Sequence, residues 1–240
     1  MQPDFEEKVE IRSIHHADKP LIDFPITLVD ITKLHPHEMV IEDAFEGLVE
    51  QLKKDKHLKT PILISKDFII LDGHHRYSAL RKLGVRKIPA IVLDYDDDNL
   101  VKVDTWYPVL QESLEVILST LKQNRFEIEE LLGDYKDIIK RRKATAVVGN
   151  KQKKYLVYGE REDIYAMIRE FWLKDIRYAD IPELAFSMTS DNVTAVVSWP
   201  YTKDEIREKG KSNTVFLPKT TRHFMDFQFP DYRVELKDLY

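Results

Sequence analysis

The chain contains no cysteine. That excludes disulfides, a thiol nucleophile and a thiolate-ligated zinc site, and it makes a reducing cytoplasm the simplest setting. No uninterrupted apolar run approaches the roughly 20 residues needed to span a bilayer, so no membrane association is expected. The first residues, Met1-Gln2-Pro3-Asp4-Phe5-Glu6-Glu7, lack the basic stretch and apolar segment of a secretory signal. Positive charge is not in excess. The formal net charge is −5; residues 1–104 carry 15 Lys and Arg against 20 Asp and Glu, and residues 105–240 carry 22 of each. A general nucleic-acid surface needs a basic face, which this balance does not supply. There is no internal repeat and no low-complexity tract. What remains is an ordinary globular composition, 43% hydrophobic and 33% charged, over 240 residues, enough for one large or two modest domains.

Short apolar runs broken by polar residues predict one or two strands within 9–34, and Pro36 marks a turn at Leu34–Glu38. Phe45, Leu48, Val49 and Leu52 follow helical spacing behind the acids Glu42 and Asp43. Pro61–Ser65 and Phe68–Leu71 read as a strand pair, Ile88–Tyr95 as another strand, and the acidic turn Asp96–Asn99 as a joint. Beyond it, Val101–Trp106 is extended and Leu110, Leu114, Ile117 and Leu121 predict a helix. Ala144–Gly149 and Tyr155–Tyr158 predict a hairpin, Ile164–Trp172 a helix and Thr194–Trp199 a strand. Thr202 with Glu205 has the capping-box spacing for a helix to Lys209. These elements predict an α+β protein with one domain over 1–104 and a second α/β domain over 105–240.

One stretch is richer in chemistry than the rest: Leu71-Asp72-Gly73-His74-His75-Arg76-Tyr77. It joins an apolar strand to an amphipathic helix that ends at Gly84. The free N–H groups of a helix start attract anions. With Arg76 beside them, the N–H groups of Gly73, His74 and His75 form a plausible phosphate cradle, and Asp72 a plausible metal anchor. The bland alternative, an Asp-Gly turn with solvated side chains, has about even weight for a lone motif. Two adjacent His point in different directions on a helix, so both are not expected to face one ligand. Glu38, on the rigid His35-Pro36-His37-Glu38 turn, has the chemistry of a general base if held near a substrate hydroxyl. Thr105-Trp106-Tyr107-Pro108 supplies aromatics that either pack or wall a pocket. Pro218-Lys219-Thr220-Thr221-Arg222-His223 has the donors for an anion. The basic runs Lys140–Lys143 and Lys151–Lys154 read best as a solvated helix end and a hairpin tip.

The Asp72–Gly84 segment resembles the nucleotide-binding motif of the ParB/sulfiredoxin-like superfamily. Taken in order with His37-Glu38, Thr105–Pro108 and Pro218–His223, it resembles the archaeal free-serine kinases, called SerK, over nearly the whole chain. The closing pattern Val234-Glu235-Leu236-Lys237-Asp238-Leu239 fits as well, whereas residues 112–195 are less distinctive. The resemblance implies a ParB/sulfiredoxin-like N-terminal domain and an active site in a cleft between the two domains. It implies phosphoryl transfer from ADP or ATP to the hydroxyl of free L-serine, with Mg²⁺, giving O-phospho-L-serine for cysteine biosynthesis. By the same resemblance Glu38 is the catalytic glutamate and Asp72 the carboxylate of the nucleotide and metal motif. Trp106, Thr220, Thr221, Arg222 and His223 then line the serine side. His74 stands where sulfiredoxins need a cysteine, so sulfinic-acid repair in its known form is excluded. Two other readings compete. A ParB-like nucleotide-dependent DNA clamp predicts a helix-turn-helix after the first domain. A non-catalytic serine or nucleotide sensor needs the same pocket without turnover.

Overall fold

The computed structural model describes residues 11–12, 19–172, 176–212, 214–230 and 232–240. The chain divides into two units. The first comprises residues 17–104 and 201–240, the second residues 1–16 and 105–200. A segment of the first unit ends at residue 104, and residues 201–240, grouped with 105–200 in the expectation from sequence, lie in the first unit.

Elements are numbered along the chain. In the first unit a four-stranded sheet has the order β2 (Ile26–Asp30), β6 (Lys87–Leu93), β4 (Ile62–Ser65), β5 (Ile70–Asp72). β6 runs antiparallel to β2 and parallel to β4, and β4 and β5 are the expected antiparallel pair. All four residues of β4 are buried, as expected of a central strand covered on both faces. Helices α1 (Glu42–Asp55) and α2 (His74–Lys82) bring Val49, Leu52, Tyr77 and Leu80 onto Ile62, Ile64, Ile70 and Ile88. Each such side chain contributes roughly 1.5–3 kcal/mol by leaving water.

The C-terminal segment belongs here for identifiable reasons. β14 (Arg222–Phe224) pairs with β7 (Lys102–Asp104), and β15 (Val234–Glu235) pairs with β3 (His57–Leu58). A closing 3₁₀ turn places Leu236 and Leu239 in the same core. Helix α7 (Lys203–Lys211) starts at the Thr202–Glu205 capping box. Gly210 lets α7 approach closely, since a Cβ there would sit 2.9 Å from Ile69 Cδ1. The acidic turn read as a joint is a docking edge for α7: Arg207 pairs with Asp96 and Lys203 with Asp98. These pairs are exposed on at least one side and each is worth little.

The second unit is built on a seven-stranded sheet. Its order is β1 (Ile11–Arg12), β12 (Ile176–Ala179), β8 (Tyr107–Leu110), β13 (Thr194–Ser198), β10 (Ala146–Gly149), β11 (Lys154–Tyr158), β9 (Glu127–Glu130). Only the β1–β12 pairing is parallel. Alternate residues feed two cores. Leu110, Ala146, Val148 and Val196 pack with α3 (Leu114–Gln123) and α5 (Arg161–Trp172). Val109, Val147, Ala195 and Val197 pack with α4 (Tyr135–Lys140) and α6 (Pro182–Ser187). After α3 the chain enters β9 before α4, so the helix-turn-helix that a DNA clamp requires does not follow α3. In the basic run 140–143, Arg141 pairs with Asp137 and Arg142 lies over Trp199. Among the described residues no helix is long and apolar enough to cross a membrane.

Candidate functional site

The strand–turn–helix motif forms as its sequence predicts. β5 ends at Asp72, Gly73 takes φ +101°, and α2 begins at His74. Only glycine suits this turn. Besides the left-handed backbone, a Cβ would lie 2.7 Å from Ile62 Cγ2. No side chain caps α2, so its first N–H groups remain an anion-binding end. Asp72 is exposed, and its Oδ2 is paired with Arg76 Nη2. Arg76 Nη1 donates to the carbonyls of Pro61 (2.9 Å) and Thr60 (3.3 Å). These contacts make Arg76 a brace of the turn.

Both histidines of the motif turn their rings back into the protein. His74 Nε2 accepts the backbone N–H of His37 at 3.3 Å, and His75 Nε2 accepts that of Ile41 at 3.1 Å. An acceptor nitrogen carries no proton, so both rings are neutral, with hydrogen on Nδ1. Burial holds His74 down to about 4 and lowers His75, with Lys219 adding to the second shift. The two rings thereby tie the helix start to the segment carrying Glu38. The Nε2 of each ring is thereby committed within the protein.

Glu38 sits on a short stretch fixed from two sides. His35 bridges to Ile69 and Glu38 to Phe216 in parallel register. The N–H of Met39 donates to Phe216 O, and that of Phe216 to His37 O. The half-buried carboxylate faces the turn at 219–221. Its Oε1 accepts Lys219 N–H at 3.1 Å. Its Oε2 accepts Thr220 N–H at 3.2 Å, Thr221 N–H at 2.7 Å and the Thr221 hydroxyl at 2.5 Å. Lys219 has φ +65°, a left-handed backbone that aims successive N–H groups at one anion. Burial raises the Glu38 pKa, and the donors from Thr221 and Lys219 work against that shift.

The serine-side residues read from sequence are only partly available for a ligand. Thr220 is buried, and its hydroxyl donates to Leu217 O at 2.8 Å. The Thr221 hydroxyl is engaged by Glu38 and lies 3.1 Å from His37 Nε2. His223 Nε2 lies 2.7 Å from the Tyr95 hydroxyl. Burial and the neighbouring His74 push its pKa down to about 3, so it carries no charge near neutrality. Arg222 lies in β14 opposite Asp104 and over the Phe224 ring. Trp106 belongs to the second unit, where it packs against the core of α3 and α5. All the other candidates gather in the first unit.

Three participants were not singled out from sequence: His37 as a side chain, Lys219 for its backbone, and Tyr95. His37 is signalled only by lying next to Glu38, and a positive φ at a lysine has no local signature. Among the described residues, no group of three His, Asp or Glu side chains could hold a metal ion. Asp72 thus stands as a single exposed carboxylate, which suits a cation held jointly with phosphate oxygens.

Comparison with known proteins agrees with this architecture. The model of the ParB N-terminal domain matches residues 13–106. An ATP-dependent L-serine kinase of Staphylothermus marinus is 30% identical over 217 residues, covering 83% of this chain and 85% of that protein. The ADP-dependent L-serine kinase SerK of Thermococcus kodakarensis is 28% identical over 252 residues, covering 96% and 99%. A solved free serine kinase in complex with AMP superposes with a TM-score of 0.83 at 26% identity, over 96% of this chain and all of that one. The chain belongs to the family of nucleotide-dependent L-serine kinases.

Proposed function

We propose that this protein phosphorylates the hydroxyl of free L-serine with ATP or ADP as donor. The observation that carries the reading is the pairing of two half-sites within one unit. The uncapped start of α2 has the form of a phosphate-binding end. Glu38, tied to it through the His37–His74 and Ile41–His75 hydrogen bonds, is the nearby base.

In the proposed reaction the terminal phosphoryl group rests against the N–H groups at Gly73–His75. Glu38 accepts the proton of the serine hydroxyl as its oxygen bonds to phosphorus. The phosphorus–oxygen bond to the nucleotide breaks, and the departing phosphate keeps the electron pair. ATP leaves as ADP, and ADP leaves as AMP. Such transfers depend on positioning and charge neutralisation more than on covalent help. Mg²⁺ held at Asp72 with the phosphates would supply part of that neutralisation. Arg222 supplies a cation for the serine carboxylate. The product, O-phospho-L-serine, carries a phosphate leaving group on its β-carbon, which suits use in cysteine biosynthesis.

The test is nucleotide conversion by the purified protein with Mg²⁺, with and without L-serine. Conversion that depends on L-serine and yields O-phosphoserine is expected. No product with ATP, ADP or other nucleotides would refute the kinase reading and leave the sensor reading standing.

A further inference from the structure

His37 has no exposed surface. Its Nε2 lies 3.1 Å from Thr221 Oγ1, and that same oxygen lies 2.5 Å from Glu38 Oε2. A threonine hydroxyl has one proton and two lone pairs, and an ionised carboxylate only accepts. With Glu38 ionised, the Thr221 proton therefore points to Oε2, and Thr221 is left as an acceptor toward His37. The hydrogen of His37 must then be on Nε2. Burial, with His74 and His223 beside it, holds the ring neutral. That leaves Nδ1 unprotonated; no hydrogen bond of good geometry reaches it, and the Ile70 backbone acts on the ring only as the smallest influence, against the others. The ring is locked edge-on against His74 and His223, with centroids 4.5 and 5.4 Å away.

The two oxygens of Glu38 are unequal in consequence. Oε2 receives three donors and Oε1 receives Lys219 N–H. A proton placed on Oε2 would oppose two backbone N–H groups and force the Thr221 hydroxyl to reverse. A proton placed on Oε1 leaves all three donors to Oε2 in place.

We propose that His37 and Thr221 are positioning residues, forming a one-way hydrogen-bond chain from His37 Nε2–H through the Thr221 hydroxyl to Glu38 Oε2, and that this chain reserves Oε1 for the serine hydroxyl proton. The proposal rests on the reading of Glu38 as the base. The groups facing the chain are Lys219 from the loop, His74 from α2 and His223 from β14. His74 in turn feels Asp72, His75 and Arg76, and His223 feels Asp72 and Lys203.

The experiment is the pH dependence of kcat for H37F, H37Q, T221V and T221S, with nucleotide KM and thermal melting recorded for each. H37F and T221V remove one donor from the chain, so the ionised carboxylate is less well supported. The acid limb of kcat should move up by about one pH unit, a roughly tenfold loss at a fixed pH on that limb, with nucleotide KM unchanged. H37Q keeps an N–H near the Nε2 position and T221S keeps the hydroxyl, so both should hold the wild-type limb. If H37F does not fold, the T221V and T221S pair carries the test. An unmoved limb in folded T221V overturns the chain. E38Q separates the two ideas: normal turnover in E38Q removes the base reading itself, whereas an inactive E38Q with an unmoved T221V limb removes only the chain.

Discussion

Glu38 and Asp72 are the two carboxylates of the candidate site, and they stand in opposite surroundings. Glu38 is half-buried in a cradle of three backbone N–H groups and one hydroxyl. Asp72 is exposed at a strand end, with Arg76 as its side-chain partner. A carboxylate held inside protein donors has fixed geometry and a proton affinity set by its neighbours. An exposed one keeps lone pairs for an incoming cation. In the proposed reaction the same functional group serves proton transfer in one place and charge neutralisation in the other.

The largest effect that should separate them is E38Q. An amide cannot take the serine proton, so turnover should fall ~10²-fold or more while nucleotide binding, followed by calorimetry, is kept. D72N should cost less, about tenfold at limiting Mg²⁺, because phosphate oxygens and water remain as ligands. Its acid limb should stay where the wild type has it.

The turn that presents Asp72 can be broken without touching a carboxylate. G73A strains a φ of +101° and drives a methyl against Ile62. It should cost ~1–3 kcal/mol and lower the melting temperature by several degrees. G47A, inside α1 with no atom within 4 Å of the new methyl, should instead stabilise by ~1 kcal/mol. Equal melting shifts for the two variants would contradict the account of the turn.

The smallest effect is on stability against pH. His74 and His223 stay neutral down to about 4 and about 3, because burial disfavours their cations. The unfolded chain takes up those protons near pH 6.5. Between pH 6.5 and 4 the unfolded state therefore binds more protons, and stability falls as pH falls through that window. Glu38, whose pKa is raised, acts in the opposite sense. H74Q removes one titrating ring, so its melting temperature should depend less on pH across that window than the wild type's. An unchanged slope would remove His74 from the acid response.

What was legible in the sequence is what is locally encoded. The Asp72-Gly73 turn, the start of α2, the β10–β11 hairpin and the Thr202 capping box all announce themselves within a few residues. Short elements such as β9, α4, β12 and α6 do not, since four to six residues give too little periodicity to read. The return of residues 201–240 to the first unit depends on β14 meeting β7 and β15 meeting β3 across more than a hundred residues. In the site, Glu38 could be named from a resemblance, but its cradle depends on a left-handed Lys219 and on Thr221 arriving from the far end of the chain. The motif histidines stand at a helix start, and nothing in the local sequence shows that their neutral rings spend their acceptor nitrogens on the N–H groups of His37 and Ile41.

The contrast between the carboxylates is tested most directly by the rate of O-phosphoserine formation against Mg²⁺ concentration for wild type, E38Q and D72N. The account predicts that D72N climbs toward the wild-type rate as Mg²⁺ rises and that E38Q stays low throughout. Recovery of E38Q by Mg²⁺, or a D72N deficit that ignores it, would contradict the division of roles between Glu38 and Asp72.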